Sequence, residues 1–90
     1  MAKPSWDKID LKIRELIADD KGYHVYEIHD NDNLRNDLRY DDDGLEALAP
    51  DINEAFFKSG AGLSTDDILG CLKVIGIVAR IDEKPIEDFK

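Results

Sequence analysis

Ninety residues with 21 acidic and 12 basic side chains carry a formal charge of −9 at pH 7. A chain of that length makes one domain with a thin core, burying only about 60% of its unfolded surface. The charge argues against nucleic acid and anionic membrane as partners, and for a basic protein surface.

The single cysteine, Cys71, cannot form an internal disulfide, which points to a reducing compartment. Met1-Ala2-Lys3-Pro4 has no apolar stretch, and no segment approaches the roughly 18 apolar residues of a membrane span. The expectation is one monomeric, cytoplasmic domain over residues 1–90. Its core spans about 5–82, and 83–90 form a frayed acidic tail.

Segment 5–18 reads as an amphipathic helix. Ser5 can cap it, and Trp6, Ile9, Ile13, Leu16 and Ile17 recur at helical spacing. Lys8, Asp10, Lys12 and Arg14 fill the other faces, Leu11 is an outlier, and Gly22 ends the element. Residues 22–43 form a long connection in which Val25, Ile28, Leu34 and Leu38 stand isolated among polar residues, as in a loop pinned to a core. A connection of this length is uncommon in a compact domain unless it is functional. Tyr23–Ile28 is also compatible with a short strand.

A second helix follows from Leu45, Leu48, Ala49, Ile52, Ala55 and Phe56. Pro50 lies inside this pattern, so the helix either starts late or bends. Ser59-Gly60-Ala61-Gly62 ends it, and Ser64-Thr65-Asp66-Asp67 opens a short third helix closed by Gly70. Leu72–Ile81 is the last element. Its β-branched Val74, Ile75, Ile77, Val78 and Ile81 compete for a strand, but the spacing of Leu72, Ile75, Val78 and Ala79 favours a helix. Leu48, Ile52 and Phe56 are expected to pack on Ile13, Leu16 and Ile75. The fold class is all-α, a bundle of three or four helices with a long loop after the first.

The acidic stretch from Asp30 to Asp43 does not read as an EF-hand. Starting at Asp30, Leu34 and Arg35 fill the fifth and sixth positions; starting at Asp37, Arg39 fills the third. A solvated turn at Asp41, Asp42 and Asp43 is the simpler reading, with weak divalent binding as its alternative. His24 and His29 lack the further ligands a zinc site requires. Cys71, among apolar neighbours, reads as buried filler rather than a reactive thiol. Ser59-Gly-Ala-Gly-Leu lacks the lysine and spacing of a phosphate loop, and no nucleophile elbow or paired acid and base stands out. The chain does not read as an enzyme, and no metal site is expected.

The order of helix, pinned loop, acidic turn, helix, short helix and helix resembles the acyl carrier protein family. Gly22, Ile28 and the run Leu34-Arg-Asn-Asp37-Leu38 resemble the family's loop with its L-x-x-D-L. Asp37-Leu38-Arg39-Tyr40-Asp41 is similar to the family's D-L-G-x-D, which leads into the helix that bears the prosthetic group. Phe56 falls at the aromatic of E-x-x-F, and Lys73-Val74 at the T-V pair that starts the last helix. The likeness covers about residues 8–82, with a three-residue insertion near Ser59–Ala61.

It departs at the position that defines carrier chemistry. The family's D-S-L presents a serine hydroxyl for 4′-phosphopantetheine; here the run is Asp41-Asp42-Asp43, and Asp42 stands where the serine would be. A carboxylate cannot become that phosphodiester, so no cofactor is expected. Ser5, Ser59 and Ser64 lack the flanking pattern, and Gly44 and Pro50 are also atypical of that helix. What the resemblance still implies is recognition by basic partner enzymes through an acidic helix face, to which Asp41, Asp43, Glu46, Asp51 and Glu54 would contribute. The expected function is therefore an atypical carrier-like module acting by protein–protein interaction near fatty-acid or polyketide biosynthesis. The alternatives are a true carrier modified at another residue and an acidic inhibitor or immunity protein for a basic toxin or nuclease.

Overall fold

The computed structural model describes residues 4–57, 62–84 and 86. Among them are four α-helices: α1 (Trp6–Lys21), α2 (Asp42–Phe56), α3 (Thr65–Leu69) and α4 (Val74–Asp82), with a 3₁₀ turn at Val25–Glu27. The described residues contain no strand, only an isolated antiparallel bridge between Asn33 and Lys73. The protein is a small helical bundle.

Helix α1 begins where Ser5 Oγ accepts the Lys8 N–H, and ends at Gly22, whose φ of 75° is the left-handed conformation glycine adopts without strain. It carries on past the amphipathic segment 5–18 through Asp19-Asp20-Lys21 and stops at Gly22, as expected. Ile9, Ile13 and Ile17 are completely buried, whereas Leu16 is only partly so. Two expectations on this helix fail. Trp6 is an exposed hydrophobic at the first turn, and Asp10, expected on a polar face, is buried.

The connection from Gly22 to Asp41 is ordered by its own polar groups. Asn33 Oδ1 accepts the N–H groups of Arg35 and Asn36, both at 2.9 Å. Asp37 Oδ2 accepts the Asn33 N–H at 2.7 Å, and the Tyr40 N–H donates to the Leu34 carbonyl at 2.9 Å. Ile28, Leu34 and Leu38 are buried as expected, and Tyr40 joins them. Tyr23–Ile28 forms no strand; it contains the 3₁₀ turn, closed by the Glu27 carboxylate on the His24 N–H. Backbone satisfaction within the loop, plus four buried side chains, explains how such a long connection holds one path.

Asp41 caps α2 by accepting the Gly44 N–H at 2.7 Å. The late-start alternative is excluded, because α2 is helical from Asp42 and continues through Pro50. Pro50 lies on the exposed face, one turn from the exposed Glu46, whose carbonyl loses the helical donor that Pro50 lacks. Leu45, Leu48, Ala49, Ile52, Ala55 and Phe56 are all buried, as their spacing predicts. Of the residues expected to end α2, Ser59, Gly60 and Ala61 lie outside the described residues. Beyond them, the Asn53 side chain pairs with the backbone of Leu63, giving Nδ2–H to its carbonyl at 2.9 Å and taking its N–H at 2.8 Å.

Helix α3 opens with a reciprocal cap between Ser64 and Asp67, and Gly70 closes it. Helix α4 starts at Val74, two residues later than expected, and its buried face is Val74, Ile77, Val78 and Ile81. Leu72 lies outside the helix and, like Ile75, is exposed, so the expected phase is corrected. A segment apolar at nearly every position leaves its phase to tertiary packing. No side chain caps α4. Instead, the Val74 and Ile75 N–H groups donate to the carbonyls of Asp32 and Asp30, at 3.2 and 3.0 Å. The loop after α1 therefore supplies the start of the last helix.

Helix α4 packs chiefly on α1, which also contacts α2, while α3 packs on α2. Beyond α4, Ile86 packs partly buried against the core and Lys84 Nζ lies 3.7 Å from Asp67 Oδ2, so the expected tail is anchored at its start. Residues 85 and 87–90 of that tail lie outside the described residues. No helix among the described residues is long and apolar enough to cross a membrane.

Candidate functional site

The residues singled out for partner binding lie on α2 or, for Asp41, at its N-cap, but the fold gives them unequal work. Asp41 is taken up by the cap. Asp42, the first residue of α2, is 68% exposed at its side chain and pairs with Arg35, Nη1 to Oδ1 at 2.7 Å. Asp43, Glu46 and Glu54 lie on the exposed side of the helix together with Pro50. Asp43 adds to the favourable charge near the positive end of the helix dipole.

Asp51 and Glu54 turn toward α1. There they line an open groove of about 540 Å³ with Lys12, Leu16, Asp19, Asp20 and Ala55. Four carboxylates against one lysine make its walls negative, over a small apolar floor of Leu16 and Ala55. The sequence reading missed Asp19 and Asp20 as members of this surface. Their signal was present as an acidic pair at the end of α1, but nothing local says which helix will face them.

Asp20 also anchors Tyr40. The Tyr40 hydroxyl donates to Asp20 Oδ2 at 2.8 Å, and Lys21 Nζ stands 4.2 Å from the ring centroid while donating to the Arg39 carbonyl at 3.2 Å. Burial first, and then the Asp20 carboxylate, hold the Tyr40 phenol well above its usual range. It is a locked neutral donor, not an acid. Between Tyr40 and the loop, Arg39 has φ of 63°, the left-handed region. Among the described residues it is the only one other than glycine with positive φ.

Elsewhere the reactive residue types are occupied in local structure. His24 stacks on Tyr26 with centroids 5.1 Å apart, and His29 Nδ1 lies 3.7 Å from Asp32 Oδ2. Cys71 is buried and its Sγ–H donates to the Asp67 carbonyl at 3.3 Å; burial pushes the thiol pKa up, away from the thiolate.

The site is thus an acidic surface around α2 on a helical bundle. Comparison of the chain with family models, with curated proteins and with solved structures gives no match.

Proposed function

We propose that the chain is an atypical acyl-carrier-like module that binds a basic protein through the acidic surface of α2 and carries no prosthetic group. The observation that carries this reading is the backbone of Arg39. In the pattern D-L-G-x-D the third position is glycine, and at that position this chain holds a left-handed φ of 63°. A conformation that favours glycine therefore persists where the side chain is arginine, directly ahead of the Asp41 cap and of Asp42 at the start of α2. The buried loop anchors Ile28, Leu34 and Leu38 agree with the same pattern.

The chemistry at the end of that loop is recognition rather than group transfer. A carboxylate at position 42 offers charge to an arginine or lysine, as Arg35 of the same chain demonstrates. Exposed pairs of this kind set association rate and specificity more than affinity. The runner-up, an acidic inhibitor of a basic toxin or nuclease, draws support from the groove, because Asp19 and Asp20 extend the negative surface beyond α2.

Titration calorimetry with a phosphopantetheinyl transferase as the basic, carrier-recognising probe separates these readings. Binding that weakens with salt and with Asp43→Asn plus Glu46→Gln supports the carrier-like reading. No binding at low salt counts against it.

A further inference from the structure

Asp10 is the one charged residue buried among the described residues, at 7% exposure, and α2's acidic surface makes no use of it. Its Oδ2 lies 3.3 Å from Arg14 Nη2, one helical turn along. Its Oδ1 has no N–H or O–H donor among the described residues, and neither has the buried Oδ1 of Asp30 in the loop. The two carboxyls are within hydrogen-bonding reach of each other. Two buried acceptors cannot satisfy one another unless one of them carries a proton. One proton resolves both orphan oxygens. Meanwhile the Asp30 carbonyl accepts the Ile75 N–H, and the neighbouring Asp32 carbonyl accepts the Val74 N–H.

We propose that Asp10 carries a proton that it donates to the Asp30 carboxylate, forming a pH-operated latch that holds the loop between α1 and the start of α4. With the proton in place, the Asp10–Asp30 hydrogen bond fixes the loop, and the loop's carbonyls cap α4. Without it, two carboxylates face each other in a poorly solvated site. Their repulsion loosens residues 30–32 from α1 and withdraws the carbonyls from the Val74 and Ile75 amides. The charged groups acting on Asp10 are Asp30 from the loop, and Arg14 and Asp7 from α1. Arg14 favours the ionised form, but its Nε is itself without an acceptor among the described residues, so the pair's charge is incompletely matched. Burial, followed by the bond to Asp30, raises the Asp10 pKa from 3.8 to about 6. The folded chain thus holds this proton more tightly than the unfolded chain. The resulting stabilisation is complete below pH 3.8 and is lost as pH rises through about 6.

The test is thermal unfolding of the full chain from pH 5 to 8, together with amide exchange at Val74 and Ile75. The unaltered chain should melt lower as pH rises through 6, and protection at both amides should fall by about tenfold or more after correction for intrinsic exchange. Asp10→Asn, which supplies a permanent donor to Asp30, should flatten both dependences and melt higher than the unaltered chain at pH 8. Asp30→Asn does the same from the other side and serves if the first variant folds poorly. Asp43→Asn, one exposed charge removed from α2, should keep the dependence, as should His29→Gln. The latch is overturned if both asparagine variants at positions 10 and 30 retain the full pH dependence. It is equally overturned if Asp43→Asn or His29→Gln abolishes it, since general acidity or an imidazole would then be the cause.

Discussion

Nη1 of Arg35 lies 2.7 Å from Oδ1 of Asp42, tying the loop after α1 to the first turn of α2. The two side chains are 38% and 68% exposed, and an ion pair that open contributes about 0–1 kcal/mol. Asp42 and Asp43, unlike the capping Asp41, are therefore dispensable for folding. Asp42→Asn combined with Asp43→Asn should change stability by less than about 1 kcal/mol, since the Asp41 cap remains and repulsion falls as the ion pair is lost. Chemical denaturation measures this directly, and a larger loss would make the cluster structural.

Arg39→Gly should stabilise the protein. The left-handed conformation costs an L-residue about 1–2 kcal/mol, partly offset by the greater freedom glycine has when unfolded. A net gain of up to about 1 kcal/mol is expected, whereas Arg39→Val, β-branched at the same φ, should lower the melting temperature. A melting temperature that falls with glycine would mean that the arginine side chain, and not the backbone, matters at this corner.

Phe56 and Ile75 separate the two apolar surfaces. Phe56 is completely buried, and truncating it to alanine should cost about 3–5 kcal/mol, comparable with the lower end of domain stability at about 5–15 kcal/mol. Ile75 is 37% exposed, so Ile75→Ala should cost less than about 1.5 kcal/mol. Melting curves that reverse this order would invalidate the helix phases.

Gly62 is required by contact rather than by conformation. A Cβ there would overlap the ring of buried Phe57 and press on Asn53 Oδ1, the atom that takes the Leu63 N–H. Gly62→Ala should therefore displace the Asn53–Leu63 pairing and destabilise by about 1–3 kcal/mol. An unchanged melting temperature would show that the segment has room to shift.

Local patterns in the chain were enough to place α1 and α3, because Ser5, Gly22 and Ser64 mark their ends; the apolar spacing of α2 set its buried face, while Pro50 left its start open between two alternatives. They were not enough for α4. With Val74, Ile75, Ile77, Val78 and Ile81 all apolar, only contact with α1 decides which face turns inward. Tyr40 and Asp10 were missed for a related reason. Each is buried through a residue twenty positions away, Asp20 for one and Asp30 for the other, and no local pattern announces such a pairing. The acids of α2 were legible as residues, but their division between cap, ion pair, open face and groove is a property of the packed helices.

Intact-mass spectrometry of the chain after incubation with a phosphopantetheinyl transferase and coenzyme A tests the central claim most directly. With Asp42 at the start of α2, the chain should keep its unmodified mass, while Asp42→Ser should gain one phosphopantetheine on the new serine. A phosphopantetheine on any residue of the unaltered chain would contradict a module without a prosthetic group. Failure of the serine variant to be modified would contradict the carrier-like reading of the loop and α2.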